Sequence, residues 1–145
     1  MITALGMTTL ITGDIAKETV IMTMNVLSGT LTYMTTNSED SIINKYKEEL
    51  EAIDIEFKLN IIQEWLCNSE QRHEKLYEGI VELCKSLTSQ LEKIDKKIKE
   101  HKSRWFHSWR KLDLIDEINS IKTKCLILNE RILLITFIQN DKNMH

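Results

Sequence analysis

The chain has 145 residues, 42% of them hydrophobic and 28% charged, with a formal net charge of −3. That is enough for one core and too little for two, too apolar for a disordered chain, and too weakly charged for a polyelectrolyte tail. It contains no proline, where average usage of ~5% would give about seven, and only four glycines. The turns of a sandwich or barrel and a glycine-rich phosphate loop are therefore not available, and the composition predicts an all-α fold.

The first 36 residues hold ten threonines, five of the six methionines and only three charges, Asp14, Lys17 and Glu18. No basic residue precedes Lys17, which argues against a secretory signal. The uncharged run 19–38 is long enough to span a bilayer, but only nine of its 20 residues are apolar and Glu39 and Asp40, not lysine or arginine, follow it. Val20, Met24, Leu27, Leu31 and Met34 step by 4, 3, 4, 3, the seam of an amphipathic helix over about 14–35. Gly13 and Asp14 are its expected N-cap. A hairpin turning at Ser28 and Gly29 is the alternative, because threonine favours strands.

The second helix is expected over 39–66, capped within Asn37, Ser38, Glu39, Asp40 and Ser41. It carries two stripes: Ile43, Tyr46, Leu50, Ile53 and Phe57, then Ala52, Ile55, Leu59, Ile62 and Leu66. Two stripes on one helix predict that its later half is wedged between neighbours, with Trp65 closing it. Asn68 and Gln71 resemble a capping box for a third helix over 69–101. Leu76, Ile80, Leu83, Leu87, Leu91, Ile94 and Ile98 form its seam, the clearest periodic signal in the chain. Asp113 can cap a fourth helix over 113–139, with a seam of Ile118, Ile121, Cys125, Leu128, Ile132, Ile135 and Ile138. Leu126, Ile127, Leu133 and Leu134 widen that apolar arc, so this helix needs cover on two sides, from the bundle or from another molecule. Residues 140–145 read as a frayed tail. The whole, 1–145, is expected to be one antiparallel bundle of about four helices.

No residue set points to catalysis. Cys67, Cys84 and Cys125 form no metal spacing, and an odd count suits a reducing, intracellular compartment in which each thiol is a buried hydrophobe. The single Glu-x-x-His pair, Glu70 and His73, lacks the second copy that a di-metal bundle uses. The carboxylates Glu48, Glu49, Glu51, Asp54 and Glu56 fall on a solvated face. No enzyme, cofactor, metal or small-molecule substrate is expected.

Charge is nonetheless uneven. Residues 1–92 carry seven basic and fifteen acidic side chains, whereas 93–111 carry eight basic and two acidic ones. Within the second stretch Trp105, Phe106 and Trp109 interleave with cations. The candidate contact surface is therefore Lys96, Lys97, Lys99, Arg104, Trp105, Phe106, Trp109, Arg110 and Lys111. The same residues also fit a structural lid over the bundle end, with the lysines complementing a helix C-terminus. The expected function is a scaffold or assembly role through apolar faces and complementary charge, with a protein partner or self-association. The alternative is a membrane-acting bundle in which residues 1–36 insert and 93–111 dock on anionic headgroups. Nucleic acid is disfavoured as a partner.

Overall fold

The structure, a computed structural model, describes residues 11–68, 73–103 and 111–144, with side chains to position 141. These residues form helices joined by short connections, and no strand occurs among them. The helices are α1 (Gly13–Thr36), α2 (Ser41–Ala52), α3 (Ile55–Asn68), α4 (Glu74–Ser103) and α5 (Ile115–Met144). The all-α bundle read from composition is the observed fold, with α2 and α3 together filling the place of the second helix.

Helix α1 is capped one residue earlier than the sequence suggests: the Thr12 hydroxyl accepts from the Ile15 amide at 3.2 Å. It runs unbroken through Ser28 and Gly29, so the hairpin alternative does not apply to it. Its threonines are tolerated because their hydroxyls donate to carbonyls one turn back. Thr19 reaches Ile15 at 2.8 Å, Thr35 reaches Leu31 at 2.8 Å and Thr36 reaches Thr32 at 2.9 Å. The buried positions are Ala16, Thr19, Val20, Thr23, Leu27, Thr30 and Met34. Met24 and Leu31, expected in the seam, are only half-buried, and Thr23 and Thr30 lie in the core instead.

The expected 39–66 helix is broken. Asp40 caps α2 by accepting from the amides of Ile42 and Ile43 at 3.0 and 3.3 Å. The chain then tightens at Ile53 and passes through Asp54 at φ 60, the only left-handed non-glycine among the described residues. Aspartate enters that region at small cost. The two stripes thus belong to two helices rather than to two faces of one. Ile43, Tyr46 and Leu50 bury α2; Ile55, Leu59, Ile62, Trp65 and Leu66 bury α3. Ala52 and Phe57, assigned to the stripes at the junction, are exposed, Phe57 by 60%.

Helix α4 buries every residue of its predicted seam and adds Tyr77, Val81, Cys84, Thr88 and His101. Asn68 ends α3, its side-chain amide donating to the Glu64 carbonyl at 2.9 Å, and so does not cap α4. Helix α5 begins where Asp113 accepts from the Ile115 amide at 3.0 Å. It continues to Met144, five residues beyond the predicted end and through most of the expected tail.

Successive rods alternate in direction, yet chain neighbours are not always the nearest neighbours in space. Helix α1 packs most extensively on α4, and both α1 and α5 contact α3 as well as α4. Thr23 meets Thr88, Thr30 meets Asp95 and Tyr33 meets Lys99, so α1 and α4 run parallel. Lys97 meets Glu117 and Gly79 faces Arg131, so α4 and α5 are antiparallel. At one end of the bundle Trp65, His73 and Tyr77 form an aromatic plug, with ring centroids 5.6 to 6.3 Å apart. At the other end His101, buried in the last turns of α4, bonds Asp40 at 3.2 Å and ties α4 to the start of α2. Burial alone would raise the Asp40 pKa, but His101 and the Ile43 and Ile42 amides outweigh it and hold the carboxyl below its ordinary value.

Candidate interaction surfaces

The described lysines of the basic stretch do not all face one way. Lys97 turns toward α5, with its ammonium 2.8 Å from Glu117 Oε2, 3.0 Å from Oε1 and 3.2 Å from the Asp113 carbonyl. The Glu117 carboxylate, supported by Asp113 and Asp116, holds Lys97 above the ordinary lysine range. Glu117 is almost fully buried, so this pair is a clamp between helices. Lys99 turns the other way and lies 5.8 Å from the centre of the Tyr33 ring on α1. Lys96 and Lys111 are exposed. Arg104, Trp105, Phe106, Trp109 and Arg110 lie outside the described residues. The charge block therefore serves at least partly inside the fold.

The interior of the α1–α4 contact is polar. The Thr23 hydroxyl lies 3.0 Å from both the Thr88 hydroxyl and the Thr19 carbonyl, and 3.3 Å from the Cys84 carbonyl. Thr30 donates to Asp95 Oδ2 at 3.1 Å, while Asp95 Oδ1 is buried without a hydrogen-bond partner. Burial pushes the Asp95 pKa up; Thr30 and Lys99 pull against it and Glu92 adds to it. Burial likewise raises the Cys84 and Cys125 thiols to about 11, so both stay protonated near neutral pH. Cys67 departs from the expectation and is exposed. No group of three metal-binding side chains occurs among the described residues.

Among the described residues, the outer face of α5 is the main apolar surface left open. Leu126, Leu133, Leu134 and Phe137 are 66, 69, 44 and 71% exposed, while Ile118, Ile121, Cys125, Leu128 and Ile135 on the opposite side are buried. The widened arc seen in the sequence is thus real, and the described helices cover only one side of it. Phe137, which sequence reasoning left out, is its most exposed member; its spacing of four from Leu133 was the available signal. Beside this face His73, Glu74, Lys75, Leu76, Arg131, Leu134 and Ile138 line an open groove of about 620 Å³. Among the described residues no helix is long and apolar enough to cross a membrane.

No protein-family model matches the chain, and no curated protein or solved structure matches it.

Proposed function

We propose that the chain is a non-enzymatic assembly or adaptor bundle, and that the outer face of α5 is where it contacts another polypeptide. The observation that carries this reading is the exposure of Leu126, Leu133 and Phe137 on a helix whose opposite side packs on the bundle through Ile118, Ile121, Cys125, Leu128 and Ile135. Large apolar side chains aligned on one exposed face mark docking surfaces, whereas scattered ones do not. The rest of the molecule supports a contact role. Its central thiols are protonated, and its most distinctive polar groups are engaged between helices. The same reading places the protein in a reducing compartment, which suits an exposed, unpaired Cys67.

Site-specific photo-crosslinking tests the reading. A photoreactive amino acid replaces Leu133 in one variant and the exposed Lys85 of α4 in another, both expressed in the cells that make the protein. A polypeptide adduct at 133 and none at 85 is expected. Absence of any adduct at 133, or equal labelling at both positions, overturns the reading.

A further inference from the structure

We infer that the occupant of the α5 outer face is a second copy of this chain, docked antiparallel across a two-fold axis. The inference rests on the docking reading above and adds the partner. Leu126, Leu133 and Phe137 follow one another at spacings of seven and four, which places them within about 40° of arc on a helix of 3.6 residues per turn. They form a straight ridge along one helix, a shape that the same ridge on another copy can match. Between Leu126 and Phe137 the charged residues are Glu130 and Arg131, the latter with its guanidinium against Gly79 of α4; from Ile132 to Asn140 there is none.

Area supports the same partner. The four exposed apolar residues leave on the order of 500 Å² of apolar surface uncovered. A standard interface uses about 800 Å² from each side, and homodimer interfaces are about 65% apolar. The ridge together with Leu134 beside it therefore supplies about the apolar area that one half of such a dimer needs.

Charge selects the direction. Lys122 lies one turn before the ridge and Asp141 one turn after it, both exposed. Parallel docking sets Lys122 against Lys122 and Asp141 against Asp141. Antiparallel docking with Leu126 opposite Phe137 brings the Lys122 end of each copy to the Asp141 end of the other. That is an isologous contact, closed by two copies.

Sedimentation equilibrium of the purified full-length chain, in reductant so that Cys67 cannot crosslink, tests the inference between about 1 and 100 µM, the weak end of affinities for interfaces of this size. A species of twice 17.0 kDa is expected. Leu126→Glu and Phe137→Lys should each weaken dimerisation by at least about 30-fold, the scale of an interface hot spot, with helical circular dichroism unchanged. Mixing the two variants should restore a dimer, because antiparallel docking sets the new glutamate against the new lysine and leaves the other Leu126–Phe137 contact native.

A monomer at every concentration overturns the second copy as partner. If 133 still crosslinks to a different polypeptide, the docking reading survives that result. A dimer indifferent to both variants overturns this face as the interface. Weakened single variants whose mixture is not restored overturn the antiparallel arrangement.

Discussion

The α1–α4 contact and the outer face of α5 reverse the usual distribution of residue types. Inside the first, Thr23 and Thr30 have no solvent exposure; on the second, Leu133 and Phe137 are about 70% exposed. The difference shows that burial here follows helix spacing as much as hydropathy. Two long parallel helices in close contact accept small side chains along their seam, and threonine fits once its hydroxyl finds a carbonyl or a second hydroxyl. Helix α5 keeps its larger apolar residues on a face that no other described helix reaches.

The most direct way to break that comparison is one substitution made on both sides. Leu91→Ala, at a fully buried site, should lower unfolding free energy by about 2–5 kcal/mol in urea titration. Leu133→Ala, measured at concentrations low enough for a monomer, should change it by no more than about 0.5 kcal/mol. Equal losses would mean that the outer face is covered within the chain.

The inner face of α5 is held at its start by Lys97. Lys97→Ala leaves the buried Glu117 carboxylate without its cation and should destabilise by about 1–3 kcal/mol. Adding Glu117→Gln should recover much of that loss, since the buried charge is then gone. An unaffected melting temperature in Lys97→Ala would show that the pair belongs to the surface after all.

Removing the Thr23 hydroxyl sharpens the other side of the comparison. Thr23→Val should lose about 1 kcal/mol, the net value of an intramolecular hydrogen bond. The double variant with Thr88→Val should lose less than the sum of the singles, because each single substitution strands the same partner.

The smallest effect is expected at Asp95 and concerns pH. Its pKa is raised in the folded chain, so its carboxyl favours folding most when protonated. That contribution is fully present below the ordinary carboxyl range and disappears as pH rises through the raised value. Asp95→Asn keeps an acceptor for Thr30 without the charge, so it should melt slightly higher than the parent at pH 7. The gap should close as both are taken to acid pH. A variant that melts lower at pH 7 would indicate that the Lys99 attraction outweighs burial.

Legibility varied along the chain for identifiable reasons. The α4 seam could be read residue by residue because each of its seven positions from Leu76 to Ile98 is a large aliphatic side chain, and charged residues fill much of the rest of the helix. In α1 the same rule chose Met24 and Leu31 over Thr23 and Thr30, since hydropathy does not reveal how closely a neighbour will approach. The break at Asp54 left a trace, the shift from the stripe ending at Ile53 to the one starting at Ile55. Periodicity alone gives that shift the meaning of two faces on one helix, and no local propensity forces aspartate into a left-handed conformation. Among the candidate contact residues, Lys97 and Lys99 proved to serve Glu117 and Tyr33, partners 20 and 66 positions away. Such separations lie beyond any helical period.

The sequence by itself determined the helices: absent proline, scarce glycine, caps such as Asp40 and Asp113, and apolar residues repeating every three or four positions leave the backbone few alternatives. Only the tertiary structure decided which helices became neighbours, and with that which threonines went inside and which leucines stayed out. Periodicity fixes where a helix places its apolar side chains. Whether another helix stands opposite them depends on how the four rods share a limited number of faces, and α5 has more apolar face than the other three can cover.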